Sequence, residues 1–366
     1  MVNYTDLING LSAEVPFVGP ESQERSLGFN FKARLGANES VFGPSEKAVV
    51  AMREVLMEDI WKYGDPENFE LKNAIARKMN SSIENIVVGE GIDALLGYLV
   101  RLIVEPGVKV VSSHGAYPTF NYHVKGSGGE LILVPFRNDH EDLESLVNVA
   151  VKESAKLIYF SNPDNPMGTA ISGKKIEEII KYIPKGCLLC LDEAYAEFAF
   201  KDFIPRLDAE NPNVLRFRTF SKAYGLAGAR IGFAVGEKRL VKNFDKIRNH
   251  FGVNRVAQAG ALAALSDQIH LEKVINRANH AKQEIMKISS DSGLLSIESH
   301  ANFVAVDCGG DGVYAVKVMQ NLIKRGVFVR MPSVEPLNRC IRITVGNDED
   351  LDYFKEQLPL ALKEAQ

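Results

Sequence analysis

The sequence predicts an α/β chain, with a large, mostly parallel sheet covered by helices on both faces and a smaller α+β unit after it. Three observations carry this. Short apolar runs such as Ile86-Val87-Val88 and Cys187-Leu188-Leu189-Cys190-Leu191 recur between amphipathic stretches, as expected for strands that crossover helices bury on both faces. Beyond a long helical tract the rhythm changes, with strand patterns at 302–307, 327–330 and 340–345 around one helix. The 366 residues are 46% hydrophobic, enough for a large core and, at about 150 residues per domain, for roughly two domains.

The first 30 residues, with Pro16, Gly19 and Pro20, read as an irregular arm. Apolar residues at helical spacing mark Lys47–Glu58 and Phe69–Met79 as helices. Ser81 and Glu84 suit a capping turn before the strand at 86–88. Then follow helix Ile92–Ile103, strand Lys109–Ser112, helix Phe120–Lys125, strand Glu130–Pro135, helix Glu141–Val151 and strand Lys156–Ser161. Helix Lys174–Tyr182 leads to strand Cys187–Asp192, and strands Val214–Arg218 and Ile231–Val235 complete the sheet. A helical tract runs over about 238–289. The tail adds helices Val313–Lys324 and Leu351–Glu364 to its strands. The expected division is a large domain over 45–265 and a small one over 266–366, to which the arm, 1–44, also belongs.

Composition excludes several functions. Lys and Arg total 43 against 47 Asp and Glu, a net charge of −4, so no basic excess follows a nucleic-acid backbone. No apolar run reaches the ~20 residues of a membrane helix, and the N-terminus lacks the basic head and apolar block of a signal peptide. Cys187 and Cys190 form a lone CxxC inside a strand, without the second pair or histidines that a zinc site needs. A reducing cytoplasm is the expected location.

Four segments carry chemistry. Gly89-Glu90-Gly91-Ile92-Asp93-Ala94 joins a strand to a helix, where backbone N–H groups favour an anion such as phosphate. The next strand ends in Ser112-Ser113-His114, without the acid that a dinucleotide ribose requires, so only the anion half of that inference stands. In Ser221-Lys222-Ala223-Tyr224-Gly225-Leu226-Ala227-Gly228-Ala229-Arg230 the lysine sits among small residues and is an amine able to form a Schiff base with a carbonyl. Ser221 and Arg230 can meet phosphate oxygens there. Asp192 ends its strand at the edge where open parallel sheets bind ligands, and Tyr195 joins it only if the chain turns at Glu193-Ala194. Asn165, in Asn162-Pro163-Asp164-Asn165-Pro166-Met167-Gly168, offers an amide from a rigid loop.

Together these segments, with Ile341-Arg342-Ile343-Thr344-Val345-Gly346, resemble the fold-type I aminotransferases that use pyridoxal 5′-phosphate, most of all the histidinol-phosphate aminotransferase group. The resemblance runs from about Arg34 to Val345. It implies the aspartate aminotransferase-like fold and a transaminase that moves an amino group from an amino acid or amine, histidinol phosphate first, to a 2-oxo acid such as 2-oxoglutarate. By resemblance, Lys222 binds the cofactor covalently and transfers the proton, while Asp192 pairs with the pyridine nitrogen. Asn165 and Tyr195 meet the ring 3′-oxygen, and Phe120 stacks on the ring, with Tyr117 or Tyr122 the alternatives. The phosphate falls to Gly91, Ile92, Ser221 and Arg230, and Tyr63 reaches the site of a neighbouring subunit, which implies a homodimer. Substrate falls to Asn38, Arg330, Arg342 and Phe17.

Two departures matter. Ile92 stands where relatives place a hydroxyl, so its contact is main-chain only. The arm reads Val15-Pro16-Phe17-Val18 where the group usually has Pro-Tyr. Phe17 cannot donate to a substrate phosphate, and it suits an apolar or aromatic side chain. An aromatic amino acid aminotransferase is therefore one competing expectation, and the resemblance implies a decarboxylase of a phosphorylated amino acid as another.

Overall fold

The computed structural model describes residues 2–13, 18–206 and 208–366. Twelve strands are present among them: β1 Ala33–Arg34, β2 Ile86–Gly89, β3 Lys109–Ser113, β4 Glu130–Val134, β5 Leu157–Ser161, β6 Leu188–Asp192, β7 Val214–Thr219, β8 Gly232–Val235, β9 Leu295–Ser296, β10 Phe303–Asp307, β11 Val327–Phe328 and β12 Cys340–Thr344. Seven form one sheet in the order β2-β8-β7-β6-β5-β3-β4. It is parallel from β7 to β4, and β8 runs antiparallel to both of its neighbours. Every residue of β5 and β6 is buried, which is why these strands read as continuous apolar runs rather than alternations.

Parallel register brings the strand ends to one edge. Ser161 pairs with Asp192, and Asp192 with Phe217, so three separate loops leave the sheet side by side. Helix Ile92–Ile103 begins at the same side from Gly91, whose φ is +87°. A Cβ on Gly91 would lie 2.7 Å from Arg230 Nη2, so both the backbone and the neighbour demand glycine there.

The remaining strands form a three-stranded antiparallel sheet, β12-β10-β9, and a two-stranded parallel pair, β1-β11. The pair ties residues 33–34 to residues 327–328, uniting the arm with the C-terminal part. Two-residue strands have no legible alternation, and β1 was not anticipated.

Three local readings are corrected. The turn before β2 is capped by Ser82 with Asn85 rather than Ser81 with Glu84. The tract at 238–289 is three helices, Lys238–Phe244, Arg255–Ser266 and Gln268–Asp291. It breaks where the Asn254 and Asp267 side chains accept backbone N–H groups of new first turns, a capping role that competes with continuing the helix. The helix expected at 120–125 begins at Pro118, with proline in the first turn where its missing N–H costs nothing.

Candidate active site

A cavity of about 780 Å³ opens over the carboxyl edge of the large sheet. Asn38, Ile92, Tyr117, Asn165, Asp192, Tyr195, Ser221, Lys222, Arg230, Arg330 and Arg342 all line it. The residues between Asp192 and Tyr195 do turn, and the hydroxyl of Tyr195 reaches the same space as the carboxylate.

Asp192 is buried. Its carboxylate accepts from the Tyr159 hydroxyl at 2.7 Å and from the Ala194 N–H at 3.0 Å. Burial pushes its pKa up to about 6. Tyr159 was not anticipated as a partner. It faces Cys190 across the β5–β6 pair, two residues before Asp192, a diagonal cross-strand position within reach of a long side chain.

Lys222 follows the end of β7 on the same sheet edge, and its Nζ donates across the cavity to the Asn38 carbonyl at 3.0 Å. Burial, assisted by the nearby Arg342 charge, lowers its pKa to about 8. Asn38 sits in a left-handed conformation with φ of +54°. Its side-chain N–H donates to the Tyr195 oxygen at 2.9 Å, its side-chain oxygen accepts from the Thr344 hydroxyl at 3.0 Å, and its own N–H donates to the same Thr344 oxygen.

Arg342, on β12, donates to the Asn165 side-chain oxygen and to the Gly36 carbonyl. Burial pulls its pKa down to about 10, and its Nε is buried without a partner. Arg330 lies directly opposite Arg342 in an antiparallel bridge, which places both side chains on one face. It donates to the Val18 carbonyl of the arm at 2.9 Å. At the other end of the cavity, Arg230 Nη2 stands 3.6 Å from Asp93 Oδ2.

The charge balance is informative. Among the described residues, neither Lys222 nor Arg342 makes an ion pair, and Asp192 has no cation within 4.0 Å. Two half-buried cations and a buried carboxylate share a cavity without pairing, which is costly unless a ligand supplies the missing charges. A ligand with a protonated ring nitrogen, an aldehyde and a phosphate would meet Asp192, Lys222 and the Ile92–Arg230 end respectively, so the residues present fit pyridoxal 5′-phosphate.

Three expected residues stand elsewhere. Phe120 is fully buried and stacks on Tyr159, with centroids 4.6 Å apart. It is not part of the cavity wall. Starting the helix at Pro118 turns position 120 toward the hydrophobic core with Leu96, Leu99 and Val124, and Tyr117, just before the helix, takes the wall position instead, its hydroxyl donating to Asp93 at 2.9 Å. Tyr63 is 78% exposed and packs on Phe251 outside the cavity. Phe17 lies outside the described residues. Val18 and Gln23 from the arm line the cavity, and no motif marked them.

Known proteins resemble this chain in sequence and fold. The structure of a histidinol-phosphate aminotransferase from Sinorhizobium meliloti, in complex with pyridoxal-5′-phosphate, superposes with a TM-score of 0.96, at 48% identity over 100% of this chain and 99% of that one. Histidinol-phosphate aminotransferase 2 of Carboxydothermus hydrogenoformans is 33% identical over 360 residues, covering 97% and 98% of the two chains. An aspartate aminotransferase from Thermus thermophilus shares the fold at 20% identity, covering 99% of this chain and 100% of that one, with a TM-score of 0.84. Residues 32–358 match the aminotransferase class I and II family model, and the chain belongs to that family.

Proposed function

We propose that this enzyme is a pyridoxal 5′-phosphate-dependent histidinol-phosphate aminotransferase with 2-oxoglutarate as the amino acceptor. The observation that carries the reading is the cavity in which Lys222, Asp192 and Arg342 face one another without internal charge pairing. The likeness to histidinol-phosphate aminotransferases over nearly the whole chain supports the substrate.

When bound, the cofactor supplies an electron-withdrawing ring that stabilises a carbanion at the substrate α-carbon. Asp192 holds positive charge at the ring nitrogen. Its Tyr159 and Ala194 donors keep the carboxylate aimed, and the ring cation offsets its burial. Lys222 carries the proton from the α-carbon. An amine pulled down to about 8 is neutral for a useful fraction of molecules near neutral pH, as a general base must be. Tyr195 accepts a hydrogen bond from Asn38, so its own proton is left to point at the ring 3′-oxygen, beside Asn165. Ile92 contributes its N–H at a helix start, and Ser221, Arg230 and Gly91 complete the phosphate cradle. Arg342 and Arg330 grip the substrate's acid group, with Asn38 beside them. Tyr117 takes the ring-facing position that Phe120 was expected to fill.

The same reading makes the protein a cytoplasmic homodimer with two lobes, 45–265 and 266–366 with the arm. Met57, Ile60, Trp61, Tyr63 and Phe251 are each more than half exposed and lie close together in the chain or in space, and a contiguous apolar patch of this kind marks an interaction surface. A second copy placed there would bring Tyr63 to the neighbouring phosphate.

A half-reaction screen tests the function. Purified yellow enzyme mixed with histidinol phosphate should lose its colour at far lower concentration than with aromatic amino acids, and 2-oxoglutarate should restore it. Bleaching by phenylalanine or tyrosine alone would reassign the substrate. Carbon dioxide release without consumption of a keto acid would reassign the reaction.

A further inference from the structure

Asn302 precedes β10 and is fully buried. Its side-chain amide donates to two successive carbonyls, those of Asn38 at 3.2 Å and Glu39 at 3.3 Å. Its side-chain oxygen is buried without a partner. Its backbone carbonyl accepts from Val345 N–H at 2.9 Å, which anchors it to the segment carrying Thr344. The hydrogen bonds of this side chain are thus spent entirely on the loop at 38–39, and a buried amide that leaves its oxygen unsatisfied is a poor choice for stability alone.

The Asn38 carbonyl that Asn302 holds is the one that receives Lys222 Nζ. A carbonyl has two lone-pair directions, and here one is occupied by the asparagine and the other by the lysine. Asn38 is left-handed, a conformation uncommon for L-residues though more accessible to asparagine than to most, and here its contacts hold it there. Without Asn302, Thr344 would still grip the Asn38 side chain, but the peptide that carries the carbonyl would lose its external donor. That donor also draws electron density from the oxygen, which reduces the extra stabilisation the carbonyl would otherwise give an ammonium over a neutral amine.

We propose that Asn302 is a positioning residue for Lys222, acting through the Asn38 carbonyl to fix where the amine rests and to favour its neutral form. The proposal rests on Lys222 being the cofactor lysine, but the placement of its amine can be measured without cofactor. Arg342, Arg230, Asp93 and Glu39 also act on the amine electrostatically, and Asn302→Ala leaves all four in place.

The test uses the full-length chain stripped of cofactor. Competitive acetylation across a pH series, read by mass spectrometry of the Lys222 peptide, gives the titration of that amine. In Asn302→Ala and Asn302→Ser the titration should move upward, toward that of an ordinary lysine, further in Ala than in Ser. In the loaded enzyme kcat should fall on the order of 10–100-fold with a much smaller change in KM, the signature of a misplaced reacting group rather than lost binding. A Lys222 titration that coincides with that of the parent chain in both variants overturns the proposal, however kcat behaves. If Asn302→Ala fails to fold, the titration of Asn302→Ser decides alone. Failure of the aminotransferase reading would instead appear as no cofactor uptake by the parent chain, with the Lys222 titration still interpretable.

Discussion

The two sides of the cavity are built differently. The side made by the large sheet comes from the ends of parallel strands held in register, with Asp192 beside Ser161 and the Lys222 segment leaving β7. The opposite side is assembled from Asn38, Arg330 and Arg342, which stand up to 304 positions apart and meet only because residues 33–34 pair with 327–328 and Arg330 bridges Arg342. The sheet side is rigid and suits a cofactor of constant shape. The arginine side places two like charges on one face, half-satisfied by carbonyls and an amide, and suits an anion that comes and goes. In the proposed reaction, one wall decides the chemistry and the other decides the substrate.

Substitutions should separate the walls by kind as well as by size. Lys222→Ala should abolish turnover, and the purified variant should show no borohydride-reducible link to the cofactor. Asp192→Asn leaves the ring nitrogen without its carboxylate. Breaking a buried pair costs about 3–5 kcal/mol, so kcat should fall roughly a hundred- to several-thousand-fold. Near-normal kcat would remove Asp192 from the chemistry. On the other wall, Arg342→Ala should act mainly on KM. Loss of charge-assisted bonds worth about 1.5–3 kcal/mol predicts roughly a ten- to hundredfold rise, and Arg330→Ala a smaller one. If both variants lower kcat with KM unchanged, the contrast between the walls is wrong.

The smallest expected effect is on stability. With a folded pKa of about 8 against an ordinary 10.5, Lys222 binds its proton more weakly in the folded chain. Between those values the unfolded chain holds more protons, so stability of the cofactor-free protein should rise with pH across that window. Below about 8 the full penalty remains. Melting temperatures measured through the window should climb less steeply in Lys222→Met than in the parent chain, and identical slopes would mean that the amine is not desolvated as described.

Legibility in the sequence followed the same divide. Asp192, Lys222, Asn165, Ser221 and Arg230 lie in segments whose neighbours in sequence are also their neighbours in space, so a short motif carries the geometry. Tyr159, Thr344 and Asn302 have no such signal. A tyrosine in a buried strand, or an asparagine before one, becomes functional only through the residue that folding sets against it. Phe120 lies in the core and Tyr117 in the cavity wall, a division that the run Tyr117-Pro118-Thr119-Phe120 does not show by itself. Arg330 and Arg342 form an intermediate case, because each lies in a strand pattern legible in the sequence, and only the observed register makes them direct opposites.

The sequence by itself determined the α/β class, the order of most strands and helices, and the amine and carboxylate that the proposed reaction uses. These follow from hydrophobic period and from local backbone chemistry, which act within a few residues. Tertiary structure alone decided that Lys222 and Arg342 would share one cavity without an ion pair among the described residues, and that a left-handed asparagine would join them. Burial and long-range electrostatics depend on what surrounds a group in space, and segments hundreds of residues apart supply those surroundings only after the chain has closed on itself.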